Sequence, residues 1–159
     1  NMQSPVQQLQ QALQTLHEDP AISLLRVSSF YRSAAIGPQQ DDFINAVAAV
    51  QTRLSPLPLL ERLQAIELQQ GRQRLQHWGP RTLDLDILLI DDLQLHGPRL
   101  KVPHPQMHLR SFVLLPLMEI ASPDLLVAGM GKLADLVRHC PENRLQKIYL
   151  PEAEHVISG

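Results

Sequence analysis

The segment Asp84-Leu85-Asp86-Ile87-Leu88-Leu89-Ile90 constrains the fold of this 159-residue chain most, because acidic and apolar residues alternate before the segment becomes wholly apolar. Successive strand side chains point to opposite faces, so Asp84 and Asp86 share one face, while Leu83 and the apolar residues at alternate positions up to Leu89 share the other. Four consecutive apolar residues, 87–90, are typical of a central strand covered on both faces. The segment therefore predicts a buried strand that begins with two carboxylates at the edge of the core.

These two carboxylates allow two interpretations. They could be charges on an exposed edge strand, where they would prevent aggregation. Alternatively, they could be the oxygen ligands of a magnesium ion, which keeps several waters and is completed by substrate phosphates. The apolar run that follows favours the second interpretation, because it requires a central strand. The pair therefore predicts a magnesium site that serves phosphate chemistry.

Composition narrows the class of protein. A chain of 159 residues with 44% hydrophobic content predicts one globular domain over residues 1–159. The formal net charge of -2 provides no basic field for nucleic acid, so we expect no nucleic-acid partner. No apolar run approaches the roughly 20 residues of a membrane helix, so we expect no membrane partner. The single cysteine, Cys140, excludes an internal disulfide and favours a cytoplasmic location.

Apolar periodicity and capping residues predict the order helix, strand, strand, helix, strand. This order lacks only the first strand of a ferredoxin-like antiparallel sheet flanked by helices in three α/β/α layers, an α+β fold. Because residue 1 is asparagine, we expect the missing strand to precede it. The predicted elements are a helix from Ser4 to Asp19 with a solvated glutamine-rich face, strands at 22–32 and about 43–52, a helix from Ser55 to Gly71, the strand at Asp84, an edge strand at 100–102, a helix at about 106–120 interrupted or kinked near Pro116, and a short strand and helix beyond Ser122.

Three arginines lie in the connection that precedes the acidic pair. Arg72, Arg74 and Arg81 flank the loop 72–81, and the planar guanidinium group suits bidentate contact with phosphate. Solvated loop arginines are common, but cations beside two carboxylates make a site that holds metal and polyphosphate together. A second long connection, 33–42, is either mobile or functional.

Aromatic and histidine residues leave two further questions open. Phe43 and Asn45 point the same way from a strand start, and Phe112 could supply a second ring, so a flat heterocycle would fit them. Plain core packing explains the same residues. His104 and His108 have the i, i+4 spacing of a zinc site on a helix, although Pro103 and Pro105 argue against a helix there.

Several ordered segments together resemble one enzyme family, the 6-hydroxymethyl-7,8-dihydropterin pyrophosphokinases of folate biosynthesis. The similarity covers most of residues 1–120. The segments are Ser28-Ser29-Phe30-Tyr31-Arg32, Gly37-Pro38, Ile66-Glu67-Leu68-Gln69-Gln70-Gly71-Arg72, Trp78-Gly79-Pro80-Arg81-Thr82-Leu83-Asp84-Leu85-Asp86, Val102-Pro103-His104 and Arg110-Ser111-Phe112.

The resemblance implies a monomeric enzyme that moves the terminal pyrophosphoryl group of ATP to the hydroxymethyl oxygen of the pterin and releases AMP. It implies that Asp84 and Asp86 hold two Mg²⁺ ions, and that Arg72 and Arg81 stabilise the transferring group. The implied pterin-binding residues are Ser33, Ala34, Ile36, Phe43, Asn45, Trp78, Asp84 and Phe112. The implied nucleotide-binding residues are Gln64, Glu67, Arg74, Ile87, Arg99, Lys101, His104 and Arg110.

The same residues also fit two other functions. Paired acids on a ferredoxin-like sheet also suit a different magnesium-dependent nucleotidyl or phosphoryl transferase. A noncatalytic ligand-binding module could have the same fold. In the pyrophosphokinase interpretation, the loops at about 33–42 and 72–81 close over the bound substrates and exclude water.

Overall fold

The structure, a computed structural model, describes residues 4–33, 43–72, 83–141 and 145–148, except for the side chain of Arg72. Within these ranges the chain is an α+β protein whose strand pairs are all antiparallel. The helices are α1 Pro5–Glu18, α2 Pro56–Arg72, α3 Ser111–Ile120 and α4 Leu133–His139, with a 3-10 turn at Met107–Leu109. The strands are β1 Ile22–Val27, β2 Phe30–Ser33, β3 Phe43–Asn45, β4 Ala48–Thr52, β5 Leu95–His96, β6 Lys101–Val102, β7 Leu126–Val127, β8 Gly131–Lys132 and β9 Leu145–Ile148. In the described part, no helix is both long and apolar enough to cross a membrane.

Helix α1 begins and ends where the sequence predicts. The Ser4 hydroxyl accepts a hydrogen bond from the Gln7 backbone N–H at 3.1 Å, and the Gln7 side chain accepts one from the Ser4 N–H at 3.0 Å. This capping box satisfies two N–H groups that the first turn leaves without helical partners. The glutamine-rich face is less solvated than predicted, because Gln8 is buried.

The two predicted long strands are each interrupted, so they form four short strands. β1 pairs with β4, β2 pairs with β3, and β9 extends the second pair along the other edge of β2. The interruption is bridged by Ser28, whose N–H donates to the Val47 carbonyl at 2.9 Å and whose hydroxyl accepts from the Val47 N–H at 2.9 Å. The two pairs therefore follow one another along one interrupted hairpin.

Burial alternates as predicted over residues 83–87, but residues 83–90 are not a strand in the structure. Leu83 and Ile87 are 4% and 9% exposed, whereas Asp84 and Asp86 are exposed. A strand also requires a hydrogen-bonded ladder with a neighbour, and the described residues provide none for this segment. The alternation of buried and exposed side chains up to Ile87 was predicted correctly, and the strand was not.

The segment 83–90 lies between two hydrophobic clusters. The first cluster joins α1 and α2 to Leu83, Ile87, Leu100 and Val102, with Leu85 and Ile90 packed against it. The second surrounds α3, and Leu88 and Leu89 pack against it. Strict alternation predicted that Leu83 and Leu89 share one environment. In the structure, however, Leu83 belongs to the first cluster and Leu89 packs against the second.

The helix predicted at 106–120 breaks at Arg110 and not at Pro116. Arg110 has extended backbone angles, φ -118° and ψ 104°, between the 3-10 turn and α3. Pro116 lies inside α3, where it removes one helical hydrogen bond and is buried. Beyond Ser122, the described residues form α4 and three short strands, more than the single strand and helix predicted.

Candidate active site

One face of α2 forms a wall of a cavity of about 390 Å³. Leu60, Gln64 and Glu67 follow one another at i, i+4 and i+7, so they lie on the same side of the helix. Leu60 is buried against the first cluster, while Gln64 is exposed. The helix therefore presents one apolar side chain, Leu60, and two polar side chains, Gln64 and Glu67, to the cavity.

The cavity brings together most of the described residues that the sequence assigned to metal and nucleotide. Its lining includes Gln64, Glu67, Asp84, Asp86, Ile87, Arg99, Lys101 and His104. It also includes five residues that the sequence did not single out, namely Leu60, Leu85, Pro98, Leu100 and Pro105. Helical spacing with Gln64 could have identified Leu60, and adjacency to predicted residues could have identified the other four.

The acidic segment is fastened to α2 at its midpoint. The backbone N–H of Leu85 donates a hydrogen bond to Glu67 Oε2 at 2.5 Å. Because Leu83 and Ile87 are anchored in the first cluster, Asp84 and Asp86 both face away from that core toward the cavity. Two carboxylates are thus held on a fixed backbone at an accessible wall.

The two carboxylates suit Mg²⁺, which takes only part of its ligands from the protein, better than a metal ion whose ligands all come from protein side chains. In the described part of the chain, no group of three or more His, Cys, Asp or Glu side chains could enclose a metal ion. Mg²⁺ is typically bound through one or two carboxylates and completed by waters and substrate phosphates. The donor set of Asp84 and Asp86 therefore fits this ion.

The short hairpin of β5 and β6 supplies two cations to the cavity. Leu95 pairs with Val102 and His96 with Lys101, and the Gly97 N–H closes the turn on the Leu100 carbonyl at 3.1 Å. Arg99 lies in this turn, where its guanidinium group contacts Glu61 at 3.3 Å. Both side chains of this ion pair are exposed, so it is weak and leaves Arg99 able to bind an anion.

His104 follows the hairpin and is positioned by its backbone. Its N–H donates to the Leu88 carbonyl at 2.7 Å, which places His104 beside the acidic segment. Its ring Nδ1 accepts from the Gln106 N–H at 3.1 Å, so the neutral ring carries its proton on Nε2. Burial and the nearby Arg110 charge lower the pKa of His104, and Asp86 opposes them. His104 precedes the 3-10 turn, so the helical spacing proposed for zinc does not apply.

The aromatic residues lie on two other elements. Phe43 begins β3 and is 57% exposed, in register with Ser33 at the end of β2. Asn45 is in register with Tyr31 on the same strand pair. Phe112 lies in the first turn of α3, with the Arg110 guanidinium carbon 5.7 Å from the ring centroid.

Six predicted site residues lie wholly or partly outside the described part of the structure. Arg72 ends α2, but its side chain is outside the described part of the structure. The other predicted site residues outside the described ranges are Ala34, Ile36, Arg74, Trp78 and Arg81. The loop closures predicted for 33–42 and 72–81 also fall almost wholly outside these ranges, so they stay predictions.

A small α+β protein whose cavity combines two carboxylates with arginine, lysine and histidine side chains is typical of enzymes that bind a nucleotide with a divalent cation. The family model described as 7,8-dihydro-6-hydroxymethylpterin-pyrophosphokinase (HPPK) matches residues 1–122. The chain belongs to this family.

Curated relatives match nearly the whole chain. It is 46% identical over 149 residues to 2-amino-4-hydroxy-6-hydroxymethyldihydropteridine pyrophosphokinase of Haemophilus influenzae, which covers 93% of this chain and 92% of the relative. The protein of the same name from Pseudomonas aeruginosa is 48% identical over 149 residues, covering 93% of this chain and 91% of the relative. The Synechocystis protein of that name is 51% identical over 124 residues, covering 78% of this chain and 63% of the relative.

Proposed function

We propose that this protein transfers the pyrophosphoryl group of ATP to the hydroxymethyl oxygen of 6-hydroxymethyl-7,8-dihydropterin and releases AMP, a step of folate biosynthesis. Family membership and the names of the relatives support this activity. The observation that carries it is the cavity in which α2, residues 84–87 and the β5–β6 hairpin converge. It offers both an acidic wall for metal and cations for phosphates.

The nucleotide would occupy this cavity. Leu60, Ile87 and Leu100 offer apolar surface for a base, and Gln64 offers an amide that can donate and accept hydrogen bonds. Arg99, Lys101 and the Nε2–H of His104 would donate to phosphate oxygens. Arg110 would add charge beside His104, and Arg74 is a further predicted contact.

Asp84 and Asp86 would hold two magnesium ions together with the phosphates. Bound magnesium neutralises charge on the phosphate oxygens and so makes the β-phosphorus easier to attack. The carboxylates are held on a backbone anchored by Leu83, Ile87 and the Glu67 hydrogen bond, which keeps the metal ligands fixed during turnover. Arg72 and Arg81 would stabilise the transferring group.

The pterin would lie between Phe43 and Phe112. Each stacked pair of rings contributes about 0.5–1.5 kcal/mol beyond the area that it buries. Asn45 and the backbone at Ser33, Ala34 and Ile36 would recognise the edge of the ring, and Trp78 would cover it. Closure of the loops at 33–42 and 72–81 would exclude water and limit hydrolysis of ATP.

The reaction needs positioning and charge stabilisation more than a protein nucleophile. The hydroxymethyl oxygen would attack the β-phosphorus and lose its proton to solvent, and the bond from that phosphorus to the oxygen retained by AMP would break. Holding the two substrates in line converts a bimolecular encounter into an effectively unimolecular step. The chain's own contribution is therefore to align the pterin hydroxyl with the β-phosphorus.

The protein would be a single monomeric domain over residues 1–159, located in the cytoplasm, with a ferredoxin-like sheet in three α/β/α layers. The interrupted antiparallel hairpin supports such a sheet. The packing of α1 and α2 in one cluster and of α3 in the other supports helices flanking it.

The decisive experiment measures AMP formation from ATP with and without the hydroxymethyl dihydropterin and Mg²⁺. Asp84→Asn and Asp86→Asn should each reduce kcat/KM by about 100-fold or more, because each removes a charged metal ligand. Asp92→Asn is the matched control, since Asp92 is an exposed acid nearby that does not line the cavity. Release of ADP or pyrophosphate, or full activity without Mg²⁺, would refute the proposal.

A further inference from the structure

We propose that Glu119 is a positioning residue for the pterin pocket, because its carboxylate fastens the C-terminal end of α3 to the start of β2. This inference rests on the proposed function, which places the pterin between Phe112 on α3 and Phe43 on β3. Glu119 lies outside the lining of the 390 Å³ cavity. Its role would be to set the spacing between the two walls of the pocket.

The carboxylate of Glu119 joins three elements. Ser29, directly before β2, donates twice: its backbone N–H to Oε1 and its hydroxyl to Oε2, the latter at 2.9 Å. Lys147 on β9 places its ammonium group 2.7 Å from Oε2. One side chain thus ties the last turn of α3 to two neighbouring strands of the same sheet.

A second hydrogen bond at the same end of α3 reinforces this tie. The Arg26 guanidinium group on β1 donates to the Ile120 carbonyl at 3.0 Å. Such carbonyls at a helix C-terminus lack helical partners and attract cations. The end of α3 is therefore fastened on both sides of the interruption in the hairpin.

The tie connects the two walls of the proposed pocket through short rigid paths. Phe112 lies seven residues before Glu119 on α3, a rise of about 10 Å along one helix. From Ser29, β2 continues to Tyr31 and Ser33, which are in register with Asn45 and Phe43. A shift of α3 relative to β2 would therefore change the distance between Phe112 and the residues of β3.

Glu119 is charged under ordinary conditions. Partial burial favours the neutral acid, but Lys147 and the two Ser29 donors outweigh it and hold the pKa of Glu119 below its usual value. A glutamine at this position keeps one acceptor oxygen for the Ser29 N–H. Its NH₂ group would then face the Lys147 ammonium, which places donors against donors, whereas the Ser29 hydroxyl can turn to accept from it. Glu119→Gln therefore weakens the tie without changing the side-chain volume.

The test separates positioning from general support of the fold. Binding of hydroxymethyl dihydropterin is measured by calorimetry with Mg²⁺ and a nonhydrolysable ATP analogue, and binding of the analogue is measured alone. Glu119→Gln should raise the Kd of the pterin about tenfold, because misplaced walls lose stacking and alignment, and leave the analogue Kd within about twofold. Ser29→Ala, which removes one donor, should raise the pterin Kd in the same direction by less.

Asp124→Asn is the matched control, because Asp124 is an exposed acid five residues beyond Glu119, and should leave both Kd values unchanged. Urea unfolding establishes that the variants are folded at the assay temperature. The positioning role is overturned if Glu119→Gln and Ser29→Ala leave the pterin Kd unchanged, or if they raise both Kd values equally. Failure of the unaltered protein to form AMP would overturn the proposed function itself, which the binding comparison does not measure.

Discussion

The Glu67 carboxylate on α2 accepts a hydrogen bond from the backbone N–H of Leu85, with 2.5 Å between Oε2 and the nitrogen. Leu85 separates Asp84 from Asp86, so this contact holds the backbone between the two proposed metal ligands. A hydrogen bond to a charged acceptor is stronger than a neutral one, by about a factor of two. Glu67 thus contributes to the geometry of the acidic wall as well as to the lining of the cavity.

Removing this acceptor should impair magnesium-dependent activity. Glu67→Ala should lower kcat/KM about tenfold or more and raise the Mg²⁺ concentration at half-maximal activity, because loss of a charged hydrogen bond costs about 1.5–3 kcal/mol. Glu67→Gln keeps an acceptor oxygen and should be less impaired. Gln69→Ala on the exposed side of α2 is the control. Identical Mg²⁺ titrations for Glu67→Ala and the control would contradict this assignment.

The titration of His104 tests the electrostatics of the cavity. In the ligand-free protein, NMR should show the Nε2–H tautomer and a pKa below the ordinary value of 6.5, lowered by burial and by Arg110. Arg110→Ala should raise this pKa, and Asp86→Asn should lower it further, because Asp86 favours the charged ring. Shifts of the same sign in the two variants would be inconsistent with the observed arrangement.

The same shift predicts how His104 affects stability. At pH values between the lowered pKa of His104 in the folded protein and its unfolded value near 6.5, the unfolded chain binds more protons than the folded protein. The contribution of His104 to stability is therefore present above pH 6.5 and is lost as the pH falls through the folded pKa.

The second hydrophobic cluster should respond strongly to a change in side-chain volume. Leu114 is fully buried in it, whereas the adjacent Leu115 is 36% exposed. Leu114→Ala should lower the free energy of unfolding by about 2–5 kcal/mol, because the lost contacts leave a cavity. Leu115→Ala should cost less than about 1 kcal/mol. Urea denaturation measures both, and equal losses would show that α3 packs with a different face.

The ion pair between Asp19 and Arg62 should contribute to stability at neutral pH. Arg62 binds both carboxylate oxygens, at 2.7 and 2.8 Å, and this contact lowers the pKa of Asp19 below 3.8. A lowered carboxyl pKa stabilises the fold above the unfolded value, and the contribution is lost as the pH falls through the folded pKa.

Asp19→Asn should therefore lower stability at pH 7, and its difference from the unaltered protein should shrink toward pH 3. Chemical denaturation at several pH values measures this difference. Asp135→Asn, which removes the exposed pair with Arg138 on α4, should have little effect at either pH. A constant difference for Asp19→Asn across the pH range would contradict the role of its charge.

Local patterns predicted several elements correctly because their causes are local. The capping box at Ser4 and the apolar spacing of α1 and α2 depend on residues three or four positions apart. The alternation of Leu83, Asp84, Leu85 and Asp86 depends on the geometry of an extended backbone alone. By contrast, the break at Arg110 and the position of Pro116 inside α3 depend on packing around that helix, which no local pattern records.

By itself, the sequence determined the α+β class and the helix boundaries near Ser4, Pro56 and Gly71, and it singled out Asp84, Asp86, Arg99 and Lys101, which line the cavity. Only the tertiary structure decided that the α2 residues Gln64 and Glu67 line one cavity with Asp84 and Asp86. It also decided that Ser28 joins the two halves of the interrupted hairpin through Val47, and that Ser29 joins the hairpin to Glu119 on α3. Such contacts join residues 18 to 90 positions apart. They depend on how helices and strands pack, whereas side-chain periodicity reports only the direction in which each residue points.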